Sequence, residues 1–209
     1  MSVIDRIGAA RLLPVVVLER AEDAVPLARA LLAGGLDVAE VTFRSDAAAE
    51  SIARIAAEVP DMLIGAGTVL TTAQVAEARK AGAQFLVTPG YNPAVVAAAQ
   101  AAGLPIVPGV NNPTGVETAM AAGLSLVKFF PAGPSGGVPF LKALMGPYAG
   151  MRYVPTGGIS AANLQEYLAL KAVLACGGSW MVDPALIRAG RFDRITELTA
   201  EAVALARAA

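Results

Sequence analysis

Histidine is absent from this 209-residue chain. That removes the usual general base, the Ser-His and Cys-His nucleophile pairs and the commonest transition-metal ligand. Acid–base chemistry is left to carboxylates, lysine, tyrosine or water. Cysteine occurs once, as Cys176, which excludes a disulfide framework within the chain. No apolar run reaches bilayer-spanning length, because Gly, Pro or charged residues interrupt each one. Met1-Ser2-Val3-Ile4-Asp5-Arg6 lacks the charged-then-apolar layout of a signal peptide. The expectation is a cytoplasmic protein without membrane association. Basic and acidic residues nearly balance, 16 against 17, and no basic stretch stands out, so nucleic acid is not an expected partner.

What is present is a repeat of strand and helix. Apolar runs at Leu12–Leu18, Asp37–Phe43, Leu63–Val69, Phe85–Pro89, Pro105–Val110, Ser125–Phe130, Arg152–Thr156 and Ala172–Gly177 read as strands. Alanine-rich helical stretches separate them, and a final helix covers Asp193–Ala208. Gly34, Gly82, Gly103 and Gly123 stand where C-terminal caps are wanted. Asn92-Pro93 and Asn112-Pro113 pair an N-cap with a first-turn proline. Eight alternations suggest one (β/α)8 TIM barrel over residues 1–209, with a short N-terminal segment over one end. An open doubly wound sheet is the rival. Its dinucleotide fingerprint is missing, since Gly65-Ala66-Gly67-Thr68 lacks the third glycine.

The most informative residue is Lys128, an amine inside the apolar run Leu126-Val127-Lys128-Phe129-Phe130. Burial without a partner favours the neutral amine, and a neutral amine is a nucleophile that forms Schiff bases with carbonyl substrates. The alternative is a lysine at a strand end whose stem is buried and whose head reaches water.

Other polar residues recur where strands end, the end that carries chemistry in such barrels. Strand alternation puts Val38, Glu40, Thr42 and Arg44 on one face, Ile64, Ala66 and Thr68 on another, and Pro89 with Phe85 and Val87. Leu126, Lys128 and Phe130 share a face. The set holds an amine, a carboxylate, a guanidinium and a hydroxyl, walled by Pro89 and Phe130. A rim ion pair of Glu40 with Arg44 is the structural alternative. Thr156-Gly157-Gly158-Ile159-Ser160 and Gly177-Gly178-Ser179 offer exposed backbone N–H groups, the first opening into a helix, as phosphate sites do.

With Glu40-Val41-Thr42-Phe43-Arg44, Gly65-Ala66-Gly67-Thr68-Val69, Val127-Lys128-Phe129-Phe130-Pro131, Pro155-Thr156-Gly157-Gly158-Ile159 and Gly177-Gly178-Ser179-Trp180 in this order, the chain resembles the 2-keto-3-deoxy-6-phosphogluconate aldolases. The likeness spans nearly the whole chain. It implies a class I lyase of the Entner–Doudoroff pathway that splits a phosphorylated 2-keto-3-deoxy sugar acid into pyruvate and glyceraldehyde 3-phosphate. It also implies a trimeric (β/α)8 barrel with neither metal nor organic cofactor. By motif, Lys128 is the Schiff-base lysine, Glu40 the proton-transfer group and Arg44 the carboxylate clamp. Thr68, Pro89 and Phe130 match pyruvate-pocket positions, and Gly157, Gly158, Gly178 and Ser179 the phosphate site.

Departures fall at Asn111-Asn112-Pro113-Thr114 and Gly133-Pro134-Ser135, which border the mouth and bear on substrate tolerance. Relatives acting on the galacto epimer carry an arginine where Val17 stands, which favours the gluconate substrate. Action on 4-hydroxy-2-oxoglutarate or the galactonate epimer, and a phosphate-binding isomerase or decarboxylase without a Schiff base, are the alternatives.

Overall fold

A computed structural model describes residues 1–209. Nine short strands are present, all but β5 and β6 separated by helices: β1 Leu12–Val16, β2 Val38–Thr42, β3 Leu63–Gly67, β4 Leu86–Val87, β5 Ile106–Val107, β6 Gly109–Val110, β7 Leu126–Phe129, β8 Arg152–Pro155 and β9 Cys176–Gly178. The helices are α1 Val3–Ala10, α2 Ala24–Ala33, α3 Ala48–Glu58, α4 Thr72–Lys80, α5 Pro93–Ala101, α6 Pro113–Ala121, α7 Gly137–Met145, α8 Leu164–Leu168, α9 Pro184–Arg188 and α10 Phe192–Arg207. None is long and apolar enough to cross a membrane.

Every residue of β1, β2 and β3 is buried. Such strands have helices on one face and the interior on the other, which is why they read as near-continuous apolar runs. The helices supply one apolar stripe each: α3 buries Ala48, Ser51, Ile52 and Ile55, and α10 buries Ile195, Thr199, Ala202, Val203 and Ala206. Together these faces form one core of 61 residues.

The expectation of a closed eight-stranded barrel is corrected. The strands form a six-stranded parallel sheet, ordered β5-β4-β3-β2-β1-β9, and a separate three-stranded one, β6-β7-β8. The break falls at Pro108. Before it, β5 pairs with β4; after it, β6 pairs with β7. Proline has no N–H to continue the ladder, and its carbonyl accepts instead from Lys128 N at 2.9 Å. On the other side, only the isolated bridges Tyr153↔Val173 and Thr156↔Gly177 join the two sheets. Helix α1 sits at the N-terminal ends of the strands. There the Arg6 guanidinium donates to the Asp37 carboxylate at 2.7 Å and to the Asp61 carbonyl at 2.8 Å.

The helix ends follow the sequence closely. Gly82, Gly103 and Gly123 have φ of 91°, 71° and 75°, the left-handed conformation that glycine allows after a helix. Gly34 does not; Gly35 takes that role with φ 87°. A Cβ on Gly34 would lie 2.6 Å from Thr199 Cβ, so its smallness serves the approach of α10. Asn92 and Asn112 cap α5 and α6, accepting from Ala94 N and Gly115 N.

Candidate active site

Lys128 and Glu40 meet in the interior. Lys128 Nζ donates to Glu40 Oε1 at 3.2 Å, with Lys128 4% exposed and Glu40 fully buried. The amine therefore has a partner, contrary to the premise of an unpaired buried lysine. Taking both charges out of water is costly and tolerable only because they meet. Burial also removes the alternative of a strand-end lysine reaching solvent. Glu40 Oε2 is buried without any hydrogen-bond partner, so one carboxylate lone-pair set is uncommitted. The Phe130 ring centroid lies 5.3 Å from Nζ.

The rim pairing of Glu40 with Arg44 does not occur. Arg44 is exposed one turn beyond β2, and its Nε donates to Thr68 Oγ1 at 3.4 Å. Thr42 shares the interior face of Glu40, but its hydroxyl donates to the Val16 carbonyl at 2.8 Å and is spent holding β2 to β1.

Register corrects the reading of β3. Glu40 pairs with Gly65 and Thr42 with Gly67, so the two glycines share the interior with the carboxylate, while Ile64 packs with Ala39 and Val41 against Leu27, Leu31 and Ile55 of the helices. Thr68 nevertheless reaches the site, because its φ of 54° breaks the alternation. A left-handed β-branched residue is a strained exception. Nothing in a one-dimensional pattern announces it.

Two cavities meet at Phe130, the residue whose ring neighbours Lys128; neither Lys128 nor Glu40 lines either one. One, about 400 Å³, is lined by Val15, Val17, Arg44, Thr156, Gly157, Gly158, Gly177, Gly178, Ser179 and Pro184, among others. The other, about 720 Å³, has Pro89, Tyr91, Asn111, Asn112 and Thr114 in its wall. Phe130 lines both. Of the predicted site residues, Arg44, Gly157, Gly158, Gly178 and Ser179 share the smaller cavity with Phe130, Pro89 lines the larger one, and Lys128, Glu40 and Thr68 line neither. Thr156 and Pro184 are wall residues that sequence reasoning gave no role. Thr156 carried a signal, preceding the glycine pair; Pro184, on α9, carried none.

Gly157 and Gly158 take φ of 93° and 80°. Ala132 N and Gly133 N donate to the Thr156 and Gly157 carbonyls at 2.8 Å each, locking the loop onto the turn after β7. The expected helix opening is absent, since α8 starts only at Leu164 and has five residues. Asn163 fills the gap, accepting from Ser160 N and donating to the Gly158 carbonyl, both at 2.9 Å. The Gly157-Gly158 loop therefore does not open directly into a helix.

A family model described as KDPG and KHG aldolase matches residues 3–198. The chain belongs to the KDPG and KHG aldolase family. Within that family it is 51% identical, over 95% of each chain, to the 2-dehydro-3-deoxy-phosphogluconate aldolase of Treponema pallidum. Its fold superposes with a TM-score of 0.91 on a KDPG aldolase from Legionella pneumophila with pyruvate captured as a covalent carbinolamine, at 40% identity over 94% of this chain and 96% of that one. The KDPG aldolase of Zymomonas mobilis with 3-phosphoglycerate matches at 0.90 and 40% identity, over 97% and 96%. Membership of the KDPG and KHG aldolases agrees with the buried pair of Lys128 and Glu40.

Proposed function

We propose that this protein is a class I aldolase that cleaves 2-dehydro-3-deoxy-6-phosphogluconate, reversibly, to pyruvate and glyceraldehyde 3-phosphate. The observation that carries it is the 3.2 Å contact between Lys128 Nζ and Glu40 Oε1 in the protein interior. A relative solved with pyruvate as a covalent carbinolamine supports the amine chemistry, and one solved with 3-phosphoglycerate supports a phosphorylated three-carbon ligand.

Glu40 takes a proton from the Lys128 ammonium, and the neutral amine attacks the C2 ketone. The carbinolamine then loses water as Glu40 returns its proton to the departing hydroxyl. This leaves a protonated imine and a carboxylate again. The carboxylate now removes the C4 hydroxyl proton, the C3–C4 bond breaks, and its electron pair moves into the iminium to give an enamine and the aldehyde. Protonation at C3 and hydrolysis by water release pyruvate and the lysine. Arg44 clamps the substrate carboxylate and Thr68 adds a hydrogen bond, with Pro89 and Phe130 as walls. Gly157, Gly158, Gly178 and Ser179 hold the phosphate and so fix C4 near Glu40. Val17 leaves an apolar wall in the smaller cavity, which suits the gluconate epimer. The working unit is a single domain acting as a cytoplasmic homotrimer, as the family resemblance implies.

Pyruvate plus borohydride should reduce the imine to a stable adduct, located by peptide mapping on Lys128. No adduct, or one on another lysine, would overturn the Schiff-base reading.

A further inference from the structure

Gly67 meets the catalytic pair without taking part in the chemistry. It lies at the end of β3, opposite Thr42 and beside the side chain of Glu40. A Cβ at Gly67 would stand 2.6 Å from Glu40 Oε2, 2.9 Å from its Cδ and 3.1 Å from Thr42 Cγ2. Distances below about 3 Å to a heavy atom cannot be held without displacement. The atom that would have to move is no flexible tip in solvent. It is the carboxyl of a fully buried side chain, tied through Oε1 to Lys128 and free of any bond at Oε2.

The φ of Gly67 is not in the left-handed region. Backbone conformation therefore does not require glycine here. The neighbouring Gly65 has a different nearest constraint, since its Cβ would run into the Phe85 ring at 2.4 Å. At Gly67 the nearest obstacle is the carboxylate itself.

We infer that Gly67 is a positioning residue: its missing Cβ is the recess that holds the Oε2 side of Glu40, and so sets the height of the carboxylate against Lys128. A methyl in that recess pushes the carboxyl toward Lys128 or away from the C4 hydroxyl of a bound substrate. The cost then falls on proton transfer, with substrate affinity little changed. The catalytic half of this inference rests on Glu40 being the proton-transfer group; the contact itself does not.

The experiment is a pair of cycles on Gly67→Ala. In the wild-type background kcat for cleavage should fall roughly 10- to 100-fold, with KM changed less than about threefold and the pH–rate profile displaced. In a Glu40→Gln background, already slow, the same change should cost less than about twofold in kcat. Wild-type kcat and pH profile in a folded Gly67→Ala variant, or equal losses in both backgrounds, overturn the inference. If Glu40→Gln alone cleaves at the wild-type rate, the assignment of Glu40 fails instead. The second cycle needs no turnover. Glu40→Ala with Lys128→Met removes the carboxyl and leaves no buried charge behind. Gly67→Ala should lower Tm by more than about 4 °C in the wild-type background and by less than about 2 °C in this apolar one. Equal Tm losses, or a chain that fails to fold in both backgrounds, would show that Gly67 does not act through Glu40.

Discussion

Lys128 Nζ and Glu40 Oε1 lie 3.2 Å apart although 88 residues separate them in sequence. Their strands, β7 and β2, belong to different sheets. The ion pair therefore spans the interior between the sheets and is a relationship that neither strand alone contains. Its chemical sense is that the amine and the group able to take its proton are already in contact before substrate arrives.

Lys128→Arg keeps the charge and the partner but cannot form an imine, since guanidinium stays protonated. Lyase activity should vanish in steady-state assays while circular dichroism stays native. Lys142, exposed on α7, and Lys171, exposed in the turn after α8, are the controls. Replacing either by alanine should leave turnover near wild type.

Glu40→Gln preserves volume and an oxygen facing Lys128 but removes the base. Cleavage should fall by roughly 10²–10⁴, measured by coupled release of pyruvate. Borohydride should still trap pyruvate, slowly. Unchanged cleavage would move proton transfer to water or to Tyr91, which lines the larger cavity.

Ser179→Asp puts a carboxylate in the wall of the smaller cavity. Repulsion with a phosphate dianion should cost about 1–3 kcal/mol after screening, roughly 5- to 150-fold in kcat/KM. The loss should be confined to phosphorylated substrate, with pyruvate proton exchange nearly unaffected. Parallel losses for the unphosphorylated sugar acid would make Ser179 structural.

Alkaline pH should destabilise the protein. Burial raises the Cys176 thiol from 9.0 to about 12, and burial, then Tyr148, raises the Tyr153 phenol from 10.0 to about 12. Both groups hold their protons more tightly in the folded state. Their contribution is complete below the unfolded values and is lost as pH climbs through about 9 to 12. Tm should be level up to pH 9 and then fall, and it should fall less steeply for Cys176→Ala with Tyr153→Phe. Cys176 should resist thiol reagents in the native protein and react on unfolding.

The sequence by itself determined the alternation of strands and helices, the ends of several helices and the two polar residues that stand out in the buried strands. Strands buried on both faces must be apolar, so Lys128 and Glu40 stand out against Leu126, Val127, Val38 and Val41. Left-handed turns after helices demand glycine, so Gly82, Gly103 and Gly123 mark their ends. Tertiary structure alone decided how the strands close, because ladder hydrogen bonds depend on neighbours: Pro108 splits one strand into two, only isolated bridges join β8 to β9, and two sheets stand in place of one barrel. It also decided which residues share the interior. Register put Gly65 and Gly67, not Ile64 and Ala66, beside Glu40, and a strained φ at Thr68 returned that hydroxyl to Arg44. A period of two records which residues share a face, but which face turns inward is set by packing on both sides of the sheet.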